Sequence, residues 1–384
     1  MRFEFATATR IVFGAGTVRE VAPAAQSMGT RALVVIGCTT GRVAPLVRQL
    51  GDAGVESFIF PLEGEPSVED ARRGAEQARA QLCDLVIAFG GGSALDAGKA
   101  IAALLTNPGD LTDYLEVVGK ALPLSAAAAP FIAIPTTAGT GTEVTRNAVL
   151  ASPEHRVKVS MRSPLMLPRL AVIDPELTLG LPPEVTASTG LDALTQLIEP
   201  FVSIRANPMT DAMCREGLGH VRQSIRRAYH QGEDLDARKD MALAALLGGL
   251  SLANAGLGVV HGFAGPIGGM FPAPHGAVCA ALLPFGMQAN LSALRTRAPE
   301  SAALRRYDEV ARILTGIPSA RAEDGVRWVS ELVGEFKIPP LRRYGLSECN
   351  VATLVEKSTQ ASSMKANAIS LTVGELGEVL RKAL

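Results

Sequence analysis

Two groups of residues in this sequence have the types and spacing to do chemistry. The first is Gly90-Gly91-Gly92-Ser93, which follows the apolar run DLVIAF and leads directly into ALDAGKAIAALL. A glycine turn between strand and helix lets phosphate oxygens approach the backbone, while the unpaired N–H groups and dipole of the helix's first turn favour their charge. The chemistry this points to is diphosphate binding. The run is neither GxGxxG nor a Walker loop, because no Gly-Lys-Ser or Gly-Lys-Thr follows it. Alone, such a turn can simply serve a backbone that needs positive φ. A second loop adds weight: PFIAIP opens into Thr136-Thr137-Ala138-Gly139-Thr140-Gly141-Thr142-Glu143. Two strand ends then carry glycine- or hydroxyl-rich loops, at the carboxyl edge where parallel sheets bind ligands.

The second group is metal-like. In STGLDALTQLIEP, Asp192, Gln196 and Glu199 are spaced by four and three residues, so a helix would carry them on one face. Farther on, His261 closes a long apolar stretch and His275 sits in the turn FPAPHG. A carboxylate, two imidazoles and the Gln196 amide suit a divalent cation. A histidine taken singly is more often a hydrogen-bonded structural residue, but two of them with Asp192, downstream of a nucleotide motif, favour a metal. His155, His220 and His230 lie among charged residues and are assigned no chemistry.

These residues need elements to position them. The first half alternates short Val/Ile/Phe runs with amphipathic Ala/Arg-rich stretches, as βα units do. Strands are expected at Ala32 to Ile36, Ser57 to Phe60, Leu85 to Phe89, Phe131 to Ile134 and Leu170 to Ile173. Helices are expected at about Arg42 to Ala53, Val68 to Ala80 and Ala94 to Leu105. After DPELTLGLPPE strand signals vanish and long helical patterns follow, broken by Pro and Gly. The expected architecture is an α/β domain with a Rossmann-like parallel sheet over residues 1–180, then an all-α domain over 181–384, with the cleft between them as the default binding site. From Ala242 to Val260 no residue is charged, a length that could span a bilayer. Its polar and glycine residues, Ser251, Asn254, Gly248, Gly249, Gly256 and Gly258, favour a buried helix ending at His261.

Composition narrows the class. With 384 residues, 37 Lys+Arg against 38 Asp+Glu and no block of like charge, the chain carries no footprint for nucleic acid. MRFEFATATR lacks the apolar region of a signal peptide, so the cytoplasm is expected. The cysteines, Cys38, Cys83, Cys214, Cys279 and Cys349, are odd in number and never in a CxxC pair. They read as reduced and mostly buried, with neither a disulfide framework nor a thiolate zinc site.

Six ordered segments, RIVFGAGTVREV, GGGSALDAGKAIA, IPTTAGTGTEVT, LAVIDPELTLGLPP, TGLDALTQLIEP and VVHGFAGPIGGMFPAPHGAVCAALLP, resemble the group III or iron-containing alcohol dehydrogenases over nearly the whole chain. The resemblance implies the dehydroquinate synthase-like fold, a dinucleotide on the α/β domain, Fe2+ or Zn2+ on the helical domain and a homodimer. It places Gly91, Gly92, Ser93, Asp96, Thr136, Thr137, Thr140 and Lys158 at the cofactor and Asp192, His261 and His275 on the metal.

The departures from the family pattern are informative. Gln196 stands where the family's first metal histidine is usual, a weaker neutral donor that still can complete a four-ligand shell. Gly265 replaces a histidine often found four residues after His261. Where NAD users often close the first strand with Asp, this chain has Gly37, followed by Thr39, Thr40 and Arg42. Hydroxyls and a cation in place of a carboxylate favour the 2′-phosphate of NADP(H), with NAD(H) still compatible.

The expected activity is reversible hydride transfer between a nicotinamide and a small alcohol or aldehyde (or ketone), with Asp192, His261 and His275 at the reacting oxygen. Three alternatives stay open here: a metal-free reductase of the maleylacetate reductase type using the two histidines as donors, a dehydroquinate-synthase-like lyase, and a non-catalytic nucleotide-binding protein. The scarcity of Lys and Arg in the segments expected to line the cleft disfavours the lyase, whose substrates are phosphorylated.

Overall fold

The computed structural model describes residues 2–384, and the chain divides into two compact units. One comprises Ala6–Thr137 and Gly141–Leu179; the other comprises Gly180–Leu384 together with Ala138–Thr140 and the described N-terminal residues through Phe5. The change from one unit to the other is therefore not a single cut near residue 180. A three-residue piece of the loop after β5 packs with the helical unit, where a Cβ on Gly139 would stand 2.7 Å from Cβ of Thr189.

The α/β unit runs β1 (Ile11–Phe13), α1 (Val21–Gln26), β2 (Arg31–Ile36), α2 (Thr40–Asp52), β3 (Glu56–Pro61), α3 (Val68–Ala80), β4 (Leu85–Gly90), α4 (Gly92–Thr106), α5 (Leu111–Tyr114), β5 (Phe131–Pro135), β6 (Asn147–Ser152), β7 (Val157–Arg162) and β8 (Leu170–Ile173). Six strands form one parallel sheet in the order β1-β8-β5-β4-β2-β3. β4, β5 and β8 are buried along their whole length, which explains their unbroken apolar runs: helices cover both faces of a parallel sheet. After β2 the chain moves one way to β3, and after β4 it moves the other way to β5. The carboxyl ends of β2 and β4 thus flank the point where winding reverses, the ligand crevice of doubly wound sheets.

All five strands expected from sequence are present, and α3 has the expected limits because Ser67 and Asp70 form a capping box at its start. Two features escape the sequence pattern. β1 is only three residues long, too short to show a period. The antiparallel hairpin β6–β7 lies between Thr145 and Ser163, where charged residues blur the alternation.

The helical unit runs α6 (Pro183–Val202), α7 (Pro208–His230), α8 (Leu235–Ala255), α9 (Val259–Met270), α10 (His275–Arg297), α11 (Ala302–Thr315), α12 (Ala322–Glu335), α13 (Val351–Gln360) and α14 (Val373–Ala383). Its core gathers residues from all of these around α6, of whose 20 residues 15 are buried. A helix apolar on every side that still carries Asp192, Gln196 and Glu199 buries polar groups at a cost that needs a partner to offset it.

The apolar stretch Ala242–Val260 is not one helix. α8 ends at Gly256, whose φ of 74° belongs to glycine, and α9 leaves at 98° to it. His261 is therefore in the first turn of α9 rather than at the end of the preceding helix. α10 is also long and apolar enough to cross a membrane by composition, but 78% of that window is buried inside the protein.

Candidate functional site

In the α/β unit the first candidate surface is made by backbone. Gly37, just past β2, donates its N–H to the Phe89 carbonyl at 3.2 Å, so the ends of β2 and β4 approach without side chains between them. A Cβ on Gly90 would lie 2.7 Å from Cβ of Ala94 and 2.9 Å from the Gly37 nitrogen, which leaves room only for glycine. Gly91 caps α4 with no side-chain hydrogen bond, so the first-turn N–H groups of this helix, Gly92 and Ser93 among them, are not consumed by a cap. Thr136 is buried and its N–H donates to the Gly90 carbonyl at 2.9 Å, while a Cβ on Gly91 would meet Thr137 at 3.5 Å. The structure thus brings Gly37, Gly91, Gly92, Ser93, Thr136 and Thr137 to one edge of the sheet. Thr140 belongs to the loop piece that packs with the helical unit.

Two other expected cofactor residues have side-chain partners in the protein. Thr39 is the N-cap residue of α2 but makes no side-chain capping bond, while the Arg42 guanidinium donates to the Leu177 carbonyl at 2.7 Å. Lys158, on β7, is half-buried as a residue with its side chain tucked in and ion-paired with Glu65 at 3.1 Å. Asp96, in α4, is buried; its Oδ1 accepts no hydrogen bond among the described residues, and burial pushes its carboxyl up to about 6 against the pull of Lys99.

Sequence reading missed the strut beneath this edge. Lys99 is buried, lies 3.6 Å from Asp96, and donates to the carbonyls of Thr142 (2.9 Å), Thr145 (3.3 Å) and Asn147 and to the Thr145 hydroxyl (2.8 Å). One ammonium therefore ties α4 to the loop after β5. Beside it Glu143 is buried, and burial raises its carboxyl to about 7.

In the helical unit the candidate surface is made by side chains. Asp192 from α6, His261 from α9, and His275 and Cys279 from α10 point one donor atom each into a space where all four lie within 4.8 Å of one another. Asp192 Oδ1 is 3.3 Å from His261 Nε2 and 3.7 Å from His275 Nε2. Cys279 Sγ is 3.8 Å from the first of these nitrogens and 3.7 Å from the second. His261 is aimed by Glu199, which accepts from its Nδ1 at 2.7 Å and from the Val260 N–H at 2.7 Å. This fixes the tautomer that leaves Nε2 available, as carboxylates behind metal-bound histidines do. Asn367 accepts from the Val259 N–H at 3.1 Å and exchanges hydrogen bonds with Asn290, so the whole first turn of α9 is pinned.

The electrostatics are those of a buried charged cluster. Burial would lower the His261 pKa, but Cys279, Asp192 and Glu199 outweigh it and hold it well above the usual imidazole value. Burial would raise Asp192, but the two histidines hold it below the usual carboxylate range. Burial pushes the Cys279 thiol up to about 12, with His261 opposing.

A divalent cation fits these residues. Asp192 Oδ1 and Gln196 Oε1 are both fully buried and accept no properly aimed hydrogen bond among the described residues. Buried oxygens without donors beside two imidazole nitrogens and a sulfur form a donor set that lacks only its acceptor. At Gly265, one turn after His261, a Cβ would meet nothing within 4 Å, so the place of the usual histidine is open.

The cysteines differ from their sequence reading. Only Cys214 and Cys279 are buried, Cys38 and Cys83 are half-buried and Cys349 is exposed. Cys279 stands in the ligand cluster, and the missed signal is its spacing: His275 and Cys279 are four apart and share one face of α10.

A doubly wound sheet with a glycine-built carboxyl edge, in one chain with a helical bundle that gathers four metal-type donor atoms, is the arrangement of a nicotinamide-dependent oxidoreductase. The family model for iron-containing alcohol dehydrogenase matches residues 8–175, and that for the Fe-containing alcohol dehydrogenase C-terminal region matches residues 186–384. The chain is 35% identical over 354 residues to choline dehydrogenase of Bacillus subtilis (strain 168), covering 89% of this chain and 85% of the relative. It is 33% identical over 380 residues to 1,3-propanediol dehydrogenase of Klebsiella pneumoniae, covering 97% and 96%. A crystal structure of 1,3-propanediol oxidoreductase superposes with a TM-score of 0.92 over 100% of both chains at 32% identity. The chain belongs to the iron-containing alcohol dehydrogenase family and is an alcohol dehydrogenase, which sets aside the lyase and non-catalytic readings.

Proposed function

We propose that the chain interconverts a small primary alcohol and its aldehyde with NADP(H), using a divalent cation held by Asp192, His261 and His275, with Gln196 beside them. The observation that carries this reading is the meeting of those donors from α6, α9 and α10 with two buried oxygens that lack hydrogen-bond donors. When bound, the cation supplies a Lewis acid for the substrate oxygen and the nicotinamide exchanges hydride with the carbinol carbon.

The chain's own residues supply the rest. Asp192 contributes the negative charge that a buried cation needs, and Glu199 keeps the proton of His261 on Nδ1. The N–H groups after Gly91 bind the diphosphate, with Ser93, Thr136, Thr137 and Thr140 as hydroxyl donors. Asp96 Oδ1, buried and with only the longer ion pair to Lys99 at 3.6 Å, accepts from the cofactor's amide or ribose. Thr39 and Arg42 at the start of α2, beside a strand that ends in Gly37, favour a 2′-phosphate; the bond to Leu177 occupies one of the five guanidinium N–H groups. A primary alcohol is favoured because choline and 1,3-propanediol, in the relatives' names, both carry one.

The test combines elemental analysis of purified protein with NADPH and NADH oxidation over an aldehyde panel, before and after chelation. The reading expects about one equivalent of divalent metal, faster turnover with NADPH and a loss of at least ~100-fold on chelation. Turnover unchanged in metal-stripped protein overturns it.

A further inference from the structure

We propose that Cys279 is a metal ligand in this chain: its sulfur, rather than the Gln196 amide, is the fourth protein donor, so the centre is an Asp–His–His–Cys site that prefers zinc to ferrous iron. This rests on the metal-dependent reading above and specifies the ligands of that same site.

Three observations converge on the thiol. A tetrahedral ion with bonds of about 2.0–2.3 Å keeps its donors roughly 3.3–3.8 Å apart. Four of the six separations among Asp192 Oδ1, His261 Nε2, His275 Nε2 and Cys279 Sγ, at 3.3, 3.7, 3.8 and 3.7 Å, fall in that span, and all six are within 4.8 Å. Cys279 is fully buried with its sulfur against two imidazole nitrogens and within 4.8 Å of the Asp192 carboxylate oxygen, so it faces donor atoms on three sides. Charge decides between the two candidates. Two neutral imidazoles, one carboxylate and one thiolate neutralise a divalent ion in a dry site, whereas an amide in place of the thiolate leaves a buried net charge. Coordination replaces the S–H bond by a sulfur–metal bond and the proton leaves to solvent. A thiolate is also the softer donor, which favours zinc over iron. Gln196 Oε1, one helical turn from Asp192 on α6, remains beside the site as an acceptor.

The test begins with cobalt(II) as a zinc surrogate in chelated and reconstituted full-length enzyme. The expected result is about one equivalent bound, tetrahedral d–d bands and a near-ultraviolet thiolate-to-cobalt charge-transfer band. That band is lost in Cys279→Ser and kept in the control Cys83→Ser. Cobalt bound without the charge-transfer band overturns the Cys279 assignment while leaving metal dependence intact. No cobalt bound at all overturns the underlying metal reading as well. X-ray absorption of the zinc-loaded wild type needs no variant and expects one sulfur at about 2.3 Å; a shell of nitrogen and oxygen alone overturns the proposal. In competition with a chelator, Cys279→Ser loses more than the about 10–100-fold of affinity that an outer-shell partner costs. Dialysed anaerobically against equal zinc and ferrous iron, the wild type takes a larger share of zinc than Cys279→Ser, and an unchanged ratio overturns the preference.

Discussion

The two units of this molecule build their candidate sites in opposite ways. The edge of the α/β unit is backbone: Gly37, Gly90 and Gly91 are there because a Cβ would collide or would cover N–H groups. The cluster of the helical unit is side chain: Asp192, His261, His275 and Cys279 come from three helices and their role depends on where those helices cross. A backbone site needs glycine at the few positions where strand ends approach, whatever their separation along the chain. A side-chain site is spread over nearly ninety residues of sequence and brings together donors, such as Cys279, that no local motif announces.

The comparison can be broken most sharply at Asp192. Asp192→Ala removes the carboxylate that faces both imidazoles, and kcat/KM is expected to fall by about 10³ or more, with bound metal lost on elemental analysis. Retained metal and activity would show that the helical cluster is structural.

Gly90 and Gly91 separate fold from binding in the other unit. Gly90→Ala forces a Cβ to 2.7 Å from Ala94 and is expected to lower the Tm by several degrees. Gly91→Ala meets nothing closer than 3.5 Å and has an ordinary φ of −73°, so the Tm stays unchanged. If phosphate oxygens sit against that backbone, however, cofactor affinity measured by calorimetry drops about tenfold or more. An unaltered affinity removes the diphosphate from this turn.

Glu199→Gln sharpens the helical side. It preserves shape but weakens the bond that fixes His261 Nδ1, and metal affinity is expected to fall about 10–100-fold with little change in Tm. A fall confined to stability would reduce Glu199 to a packing role.

The smallest effect concerns pH. Glu143 is buried, and burial raises its carboxyl to about 7, above the ordinary glutamate range, so the native state binds the proton more tightly. Its contribution to stability is full below the unfolded pKa and is lost as pH rises through 7. Thermal unfolding of the wild type should therefore show a decline between about pH 5 and 7 that Glu143→Gln flattens, on the order of 2–3 kcal/mol across the window. An identical slope in both proteins refutes this.

The difference between the units also explains what could be read in advance. Five of the sheet's six strands, α3 and the glycine turn were legible because their causes are local: a run of β-branched residues, a capping box, a turn that admits no Cβ. Asp192, His261 and His275 were legible as residue types at suggestive spacings, and the resemblance of the motifs named the family. The break between α8 and α9 was not, since a run of glycines and alanines without charge reads as one helix until Gly256 takes a left-handed φ. Cys279 was hidden because a lone buried cysteine is ordinary, and Lys99 because no local pattern announces that its ammonium will meet four oxygens of a loop more than forty residues away.

By itself the sequence determined five strands of the parallel sheet, α3, the change to a helical second half and the family, all of which follow from periodicity, capping and ordered motifs. Only the tertiary structure decided which buried donors share a space. Distances of 3 to 4 Å between residues from different helices depend on crossing angles and core packing, and no interval along the chain encodes them.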